Sequence, residues 1–236
     1  MKNLKNRLPV PVDYRGFRPS RINEPRYRHL WLLLFWPVYW LRYPLIEALN
    51  TPERCVPISC ALDEAIPFCE YFLIPYMLWM VCMVATALYT LFFDVESFRK
   101  YSKFLIVSFS ISTVIYLIWP TCQNLRPETF ARDNFFTRIV ALLYSVDTNT
   151  NVCPSEHVIG SLAYLIAAFH TKSLRSPGKL TVITLLALGT SFSTVFLKQH
   201  SFVDVVAALP VCAVAYVMVY GCRKKESEAP AQARCS

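Results

Sequence analysis

The sequence predicts an all-α, polytopic membrane protein built as a six-transmembrane-helix bundle. Three observations carry this prediction. Apolar residues make up 55% of the chain, against about 45 to 50% in soluble domains. Nearly uncharged runs recur at the length of a membrane helix, and the cations are distributed unevenly between them. The runs at Tyr71 to Phe93, Phe104 to Trp119, Leu180 to Leu197 and Val205 to Cys222 approach the roughly 20 residues that cross about 30 Å of hydrocarbon. Two weaker segments, Leu30 to Ala48 and His157 to His170, complete the six. Pro37, Arg42 and Pro44 interrupt the first of these, whereas Trp31, Trp36, Tyr39, Trp40 and Tyr43 suit a helix meeting the lipid interface. The chain divides into a basic tail over 1–28, a membrane domain over 29–222 and a second tail over 223–236, with no room for a second soluble domain.

Composition excludes several function classes. Only five glycines occur, none in a Gly-x-Gly or Gly-Lys-Ser/Thr pattern, so no nucleotide-cradling loop and no cofactor is predicted. Nine cysteines lack any Cys-x-x-Cys spacing, which argues against a zinc ribbon or a disulfide scaffold. Pairing of Cys55 with Cys60, or of Cys122 with Cys153, stays open. The segment through Arg28 has no apolar stretch and does not read as a cleaved secretion signal, so the first span is expected to serve as its own insertion signal.

With six spans in place, Lys2 through Arg28, then Arg99, Lys100 and Lys103, then Lys172, Arg175 and Lys179, and finally Arg223 through Arg234 share one side. The other side holds only Arg54, Arg126, Arg132, Arg138 and Lys198. The positive-inside bias puts both tails in the cytoplasm. The net charge of +8 therefore reports topology and contact with membrane lipids, and no nucleic-acid partner is predicted. A multi-pass protein of the cell membrane is the expected location.

Polar groups collect on the outer side, in the connections Asn50 to Pro67, Thr121 to Glu156 and Lys198 to Ser201. The second connection contains a mixed stretch, Asn134 to Tyr144, with the pattern of a short amphipathic helix, and ends in Cys153-Pro154-Ser155-Glu156-His157. His200 and Asp204 are four apart, so on one helix they share a face. The carboxylate then holds the imidazole Nδ1–H, leaves Nε2 free and stabilises the cation formed when Nε2 attacks. A carboxylate at the top of a lipid-embedded span is costly without such a partner. Pro154 and Ser155 read as a helix start whose free N–H groups favour a phosphate. His157 sits in that first turn, where the dipole disfavours an added positive charge.

Cys153-Pro154-Ser155-Glu156-His157 resembles the Pro-Ser-x-His motif of the type 2 phosphatidic acid phosphatase superfamily. Ser193-Thr194, five residues, His200, three residues and Asp204 resemble its Ser-Arg, His, Asp motif, and Arg126-Pro127 matches the end of its first motif. The resemblance covers about Trp119 to Pro210, in the superfamily's order. It implies metal-independent phosphoryl transfer from a lipid phosphate, with His200 as nucleophile, Asp204 orienting it and His157 protonating the leaving oxygen. Arg126 and Ser155 are implied to hold the phosphoryl oxygens. Three positions depart from the pattern: Trp119 stands for the first motif's Lys, Glu156 for the usual Gly and Thr194 for the Arg. Lys198, two residues before His200, is the expected replacement cation, because a dianionic phosphoryl group still demands charge.

Water is the expected acceptor. Lys198-Gln199-His200 with Asp204 also resembles the branch containing sphingolipid-type phosphotransferases, whose acceptor is an alcohol. Two further classes compete: a zinc hydrolase using Cys153, His157 and His200, which lacks a ligand pair at metal-binding spacing on one helix, and a non-enzymatic lipid-binding or transport protein. Retention of both histidines and the membrane-embedded carboxylate argues against the latter.

Overall fold

The computed structural model describes residues 10–221; the start of the predicted N-terminal tail (1–9), Cys222 and the predicted C-terminal tail (223–236) lie outside the described residues. Helices dominate: α1 Phe35–Leu49, α2 Ala61–Ala65, α3 Leu73–Phe93, α4 Val95–Ile118, α5 Phe135–Val146, α6 Glu156–His170, α7 Pro177–Phe196 and α8 Phe202–Tyr220. The two short strands, β1 Val56–Pro57 and β2 Thr121–Cys122, pair in parallel and tie two of the predicted outer connections together.

Four helical segments are long and apolar enough to cross a membrane: Glu70–Phe93, Val95–Ile118, Pro177–Phe196 and Phe202–Tyr220. They overlap the four strong runs in the sequence, but capping chemistry moves their ends. Asp94 accepts from the Ser97 N–H at 3.0 Å and the Ser97 hydroxyl at 2.9 Å. Because Asp94 caps the helix, α4 starts at Val95, and Arg99, Lys100 and Lys103 ride on its first turns instead of in a loop. At α8 a reciprocal cap between Ser201 and Asp204 starts the helix at Phe202.

The two weaker predicted spans differ from these four. The α1 helix has 15 residues, preceded by a 3₁₀ segment over Arg28–Leu34, so the helical path runs unbroken from 28 to 49. Its contacts climb alongside α4: Phe35 stacks on Phe109, Arg42 meets Thr113, and Asn50 donates to the Tyr116 carbonyl. The α6 helix, also 15 residues, packs against α3, α4, α7 and α8. It buries most of its apolar residues against protein, with Phe169 near its C-terminal end left exposed. Its small residues, Gly160, Ser161, Ala163, Ala167 and Ala168, are buried, which lets neighbouring backbones come close. A Cβ at Gly160 would lie 2.4 Å from Trp79 Nε1 and 2.5 Å from Met83 Sδ, so only glycine admits the Trp79 ring there.

The core between these helices is apolar and aromatic, with Met83, Tyr101, Phe104, Ile159 and Tyr164 in one cluster. Large apolar side chains also line the outside: Val81, Leu185 and Val217 are each more than half exposed. Soluble monomers rarely present apolar surface on this scale, and hydrocarbon is the medium that accepts it. The predicted amphipathic stretch forms α5, capped by Asn134, with Thr137 and Val140 buried and Val140 packed against Leu73, Tyr76 and Leu197. Among the described residues Cys55, Cys60, Cys69, Cys82, Cys122, Cys153 and Cys212 are free thiols.

Candidate functional site

At the end of the bundle where α6 and α8 begin, three predicted catalytic residues meet. The Ser201 hydroxyl accepts from Val203 N–H, while Asp204 Oδ2 accepts from Ser201 N–H at 2.9 Å. The same oxygen faces His200 Nδ1 at 3.3 Å, and the Val152 carbonyl lies 3.0 Å from that nitrogen. Both neighbours of Nδ1 are acceptors, so it carries the proton and leaves Nε2 with a free lone pair. His200 Nε2 is 3.3 Å from Nδ1 of His157. His157 is held between the rings of Tyr76 and Trp79, at 4.5 Å and 4.3 Å. The glycine at 160 that admits Trp79 therefore sets one wall of this histidine.

Backbone geometry explains how His200 arrives there. After α7 the chain turns through Lys198, whose φ of 54° lies in the left-handed region, a conformation that costs a non-glycine residue about 1 to 2 kcal/mol. The Thr194 carbonyl accepts from the amides of both Gln199 and His200, closing the turn. The Lys198 amine extends away from the histidines and donates to the carbonyls of Asp63 and Ile66, each at 2.5 Å. This changes the reading of Lys198 as a phosphate-binding cation: its charge is spent on carbonyl oxygens of the loop around α2.

Asp63 in that loop was not recognisable from sequence. It is buried, and its carboxylate accepts from the Ser201 hydroxyl at 2.6 Å, the Phe202 amide at 2.7 Å and the Cys60 amide at 2.8 Å. Burial raises its pKa, but the hydrogen bonds from Ser201, Phe202 and Cys60 outweigh that and hold it below the ordinary carboxylate value. A group with a depressed folded pKa contributes stability that is complete above its unfolded value and fades as pH falls through the folded one. The clamp on α8 is thus intact near neutrality and weakens only in acid. Asp63→Asn should place an amide against two N–H donors and cost about 1 to 3 kcal/mol, read as a lowered thermal midpoint. On the catalytic role that the resemblance implies for His200, its displacement with α8 should lower kcat far more than it raises KM, since small misplacements of a reacting group cost up to about 10²-fold. Unchanged midpoint and kcat would show that the clamp positions nothing.

The two remaining predicted binding residues lie around the site and are not among the side chains lining its cavity. Ser155 is fully buried, its hydroxyl accepting from the Val158 amide at 3.5 Å as the cap of α6, while its own amide donates to the Asp204 carbonyl. Arg126 reaches the carbonyls of Tyr144, Asp147 and Thr148 and the Gln199 side chain at 2.5 Å, stacked 4.6 Å from the Tyr144 ring. It therefore braces the residue beside His200 from behind.

A cavity of about 390 Å³ opens beside the histidines, walled by α1, α3, α6 and the loop after α5. Its cation is Arg42, which sequence analysis left as an isolated charge in a weak span. Arg42 Nη2 pairs with Glu156 at 2.8 Å, Nη1 donates to Thr113, and Tyr39 donates to the same Glu156 oxygen at 3.2 Å. An intramembrane arginine is by itself a pointer to function, so this signal was present in the sequence. Asp147, bonded by Tyr43, Tyr76 and Gln199, carried no such signal.

The zinc reading loses support here. No group of three His, Cys, Asp or Glu side chains converges at metal-binding geometry among the described residues. Burial, with Asp204 beside it, pushes the Cys153 thiol up to about 12, so it stays protonated near neutrality and is a poor nucleophile. The chain matches no protein-family model, no curated protein and no solved structure.

Proposed function

We propose that this protein is a multi-pass membrane enzyme that hydrolyses a lipid phosphate through a phosphohistidine on His200, at the extracytoplasmic face. One observation carries the reading: Asp204, His200 and His157 form a relay at the mouth of a cavity in an apolar helical bundle, with Nε2 of His200 directed at His157. Nε2 attacks phosphorus, forming an N–P bond as the P–O bond to the alcohol breaks. Asp204 and the Val152 carbonyl stabilise the proton on Nδ1 as the ring becomes cationic. His157 delivers a proton to the departing alkoxide and then takes one from the water that attacks the phosphohistidine, releasing phosphate and restoring both rings. Arg42 supplies positive charge to the phosphoryl oxygens, with Glu156 as the anion it must exchange for them. Ser155, Arg126 and Lys198 keep the framework by capping α6, bracing Gln199 and anchoring the turn before His200.

Purified protein in detergent, given a panel of lipid phosphates, should release inorganic phosphate and accumulate an acid-labile phosphoenzyme. Transfer to an added alcohol with no release to water would reassign it as a phosphotransferase. Absence of both would overturn the reading.

We read the chain as crossing the membrane six times with cytoplasmic tails, a reading supported by the cations on the first turns of α4. In a variant lacking the native cysteines, a cysteine at exposed Ala131 should react with an impermeant thiol reagent added to intact cells. One at exposed Ser176, on the opposite end, should react only after permeabilisation. The reverse pattern would put the site on the cytoplasmic side.

A further inference from the structure

The two histidines are oriented by different means. His200 has fixed acceptors on Nδ1, the Asp204 carboxylate and the Val152 carbonyl. His157 has nothing of that kind: among the described residues its one side-chain hydrogen bond joins Nδ1 to His200 Nε2 at 3.3 Å. Because Nε2 of His200 is the acceptor, Nδ1 of His157 carries the proton. That bond cannot survive phosphoryl transfer, since the lone pair it uses becomes the N–P bond. From then on, among the described residues, no hydrogen bond fixes the ring that hands its proton to the departing oxygen.

Aromatic packing is what remains. Tyr76 and Trp79 stand three apart on α3, share one face of it and are both buried. The Tyr76 ring lies 4.5 Å from the His157 ring at an interplanar angle of 30°, and the Trp79 ring 4.3 Å away at 41°, at the short end of the separations usual for aromatic pairs. Such faces also attract the imidazolium that forms when His157 takes a proton from water. Keeping the indole there breaks two local rules. Trp79 Nε1 is buried without a hydrogen-bond partner, a loss that a phenylalanine would not incur. Position 160 has to stay glycine, because a Cβ would lie 2.4 Å from that nitrogen, although glycine inside a helix is unfavourable. Two rules broken around one side chain mark a functional demand on it.

We infer that Trp79 and Tyr76 are the positioning residues of the proton-transfer step, holding the His157 ring so that Nδ1–H reaches the leaving oxygen once its contact with His200 is gone. This rests on the reading that His200 accepts phosphorus and His157 is its acid.

Leaving groups separate such a role from a merely structural one, because an alkoxide needs the proton in order to depart, whereas 4-nitrophenolate leaves as a stable anion. A long-chain alkyl phosphate and 4-nitrophenyl phosphate would each be mixed with the full-length protein in detergent. The rate of phosphoenzyme formation is read by rapid alkaline quench for the first and by the nitrophenolate burst for the second. In Trp79→Leu the ratio of the alkyl rate to the aryl rate should fall about 10- to 100-fold. Trp79→Phe, which keeps a ring, should recover part of that ratio. Tyr76→Leu should lower it as well, and decides the matter if Trp79→Leu does not fold. In a His157→Ala background, adding Trp79→Leu should move the ratio no further, since the residue it acts through is gone. A ratio unchanged in both leucine variants, or a further fall in the His157→Ala background, would overturn the inference while the parent's phosphoenzyme keeps the enzyme reading. A parent that forms no phosphoenzyme from either ester overturns the enzyme reading and this inference with it.

Discussion

Alanine at His200 is expected to take phosphate release to the assay floor, a loss of roughly 10⁵-fold or more, because it removes the atom that accepts phosphorus in the proposed mechanism. The acid-labile phosphoenzyme should disappear with it. Asp204→Asn should leave more activity. One oxygen, Oδ2, makes both the Ser201 N–H and the His200 Nδ1 contacts, so the asparagine oxygen can keep both and the cap on α8, but the negative charge that stabilises the ring as it becomes cationic is lost. The corresponding change in a Ser-His-Asp triad costs about 10⁴-fold, and a loss of roughly 10² to 10⁴ is expected here. Parent-level activity in His200→Ala would overturn the mechanism outright.

Removing Arg42 should have the next largest effect on turnover. Substituting it alone would strand Glu156, buried at 9% exposure, and a buried charge left without its partner costs about 3 to 5 kcal/mol, enough to confuse catalysis with folding. The informative variant is therefore Arg42→Met with Glu156→Gln, which removes both charges together. It should fold, with a thermal midpoint near the parent's, and lose about 10²- to 10³-fold in kcat, the usual consequence of losing one charge-stabilising donor. Glu156→Gln alone should lower KM, because Arg42 is then free of a competing anion. Lys198→Met gives the contrast: its amine is engaged by the Asp63 and Ile66 carbonyls, so it should lower the midpoint by loosening the turn before His200. Parent-level kcat in the double variant would shift the phosphate-binding role to another cation, with Arg126 next to be tested.

The four longest apolar helices were legible because twenty uncharged residues have few other fates in water or lipid. α5 was legible for a related reason, its apolar residues recurring at helical spacing behind an asparagine cap. The position of His157 was legible too, as it follows a helix-starting Pro-Ser, and the closeness of His200 to Asp204 was expected, though from a shared helix face and not from the cap before α8 that the structure shows. These are local properties, set by spacing along one helix or by a cap at its end.

What the sequence alone could not decide is where long side chains end up. Lys198 stands two residues from His200, yet a left-handed turn sends its amine to α2. Arg126 sits on the right loop but reaches carbonyls behind Gln199. Arg42 lies more than a hundred residues from Glu156 and meets it only because α1 climbs beside α4 towards the start of α6. By itself the sequence determined that the chain is a helical bundle suited to lipid, since burial of apolar runs acts within single helices; the structure starts α8 at Phe202, so His200 reaches Asp204 from the turn before the helix and not along one helix face. Only the tertiary structure decided which cation faces the cavity, which residues clamp α8, and which rings hold His157. A flexible side chain's partner is fixed by the packing of distant helices, and no local pattern encodes it.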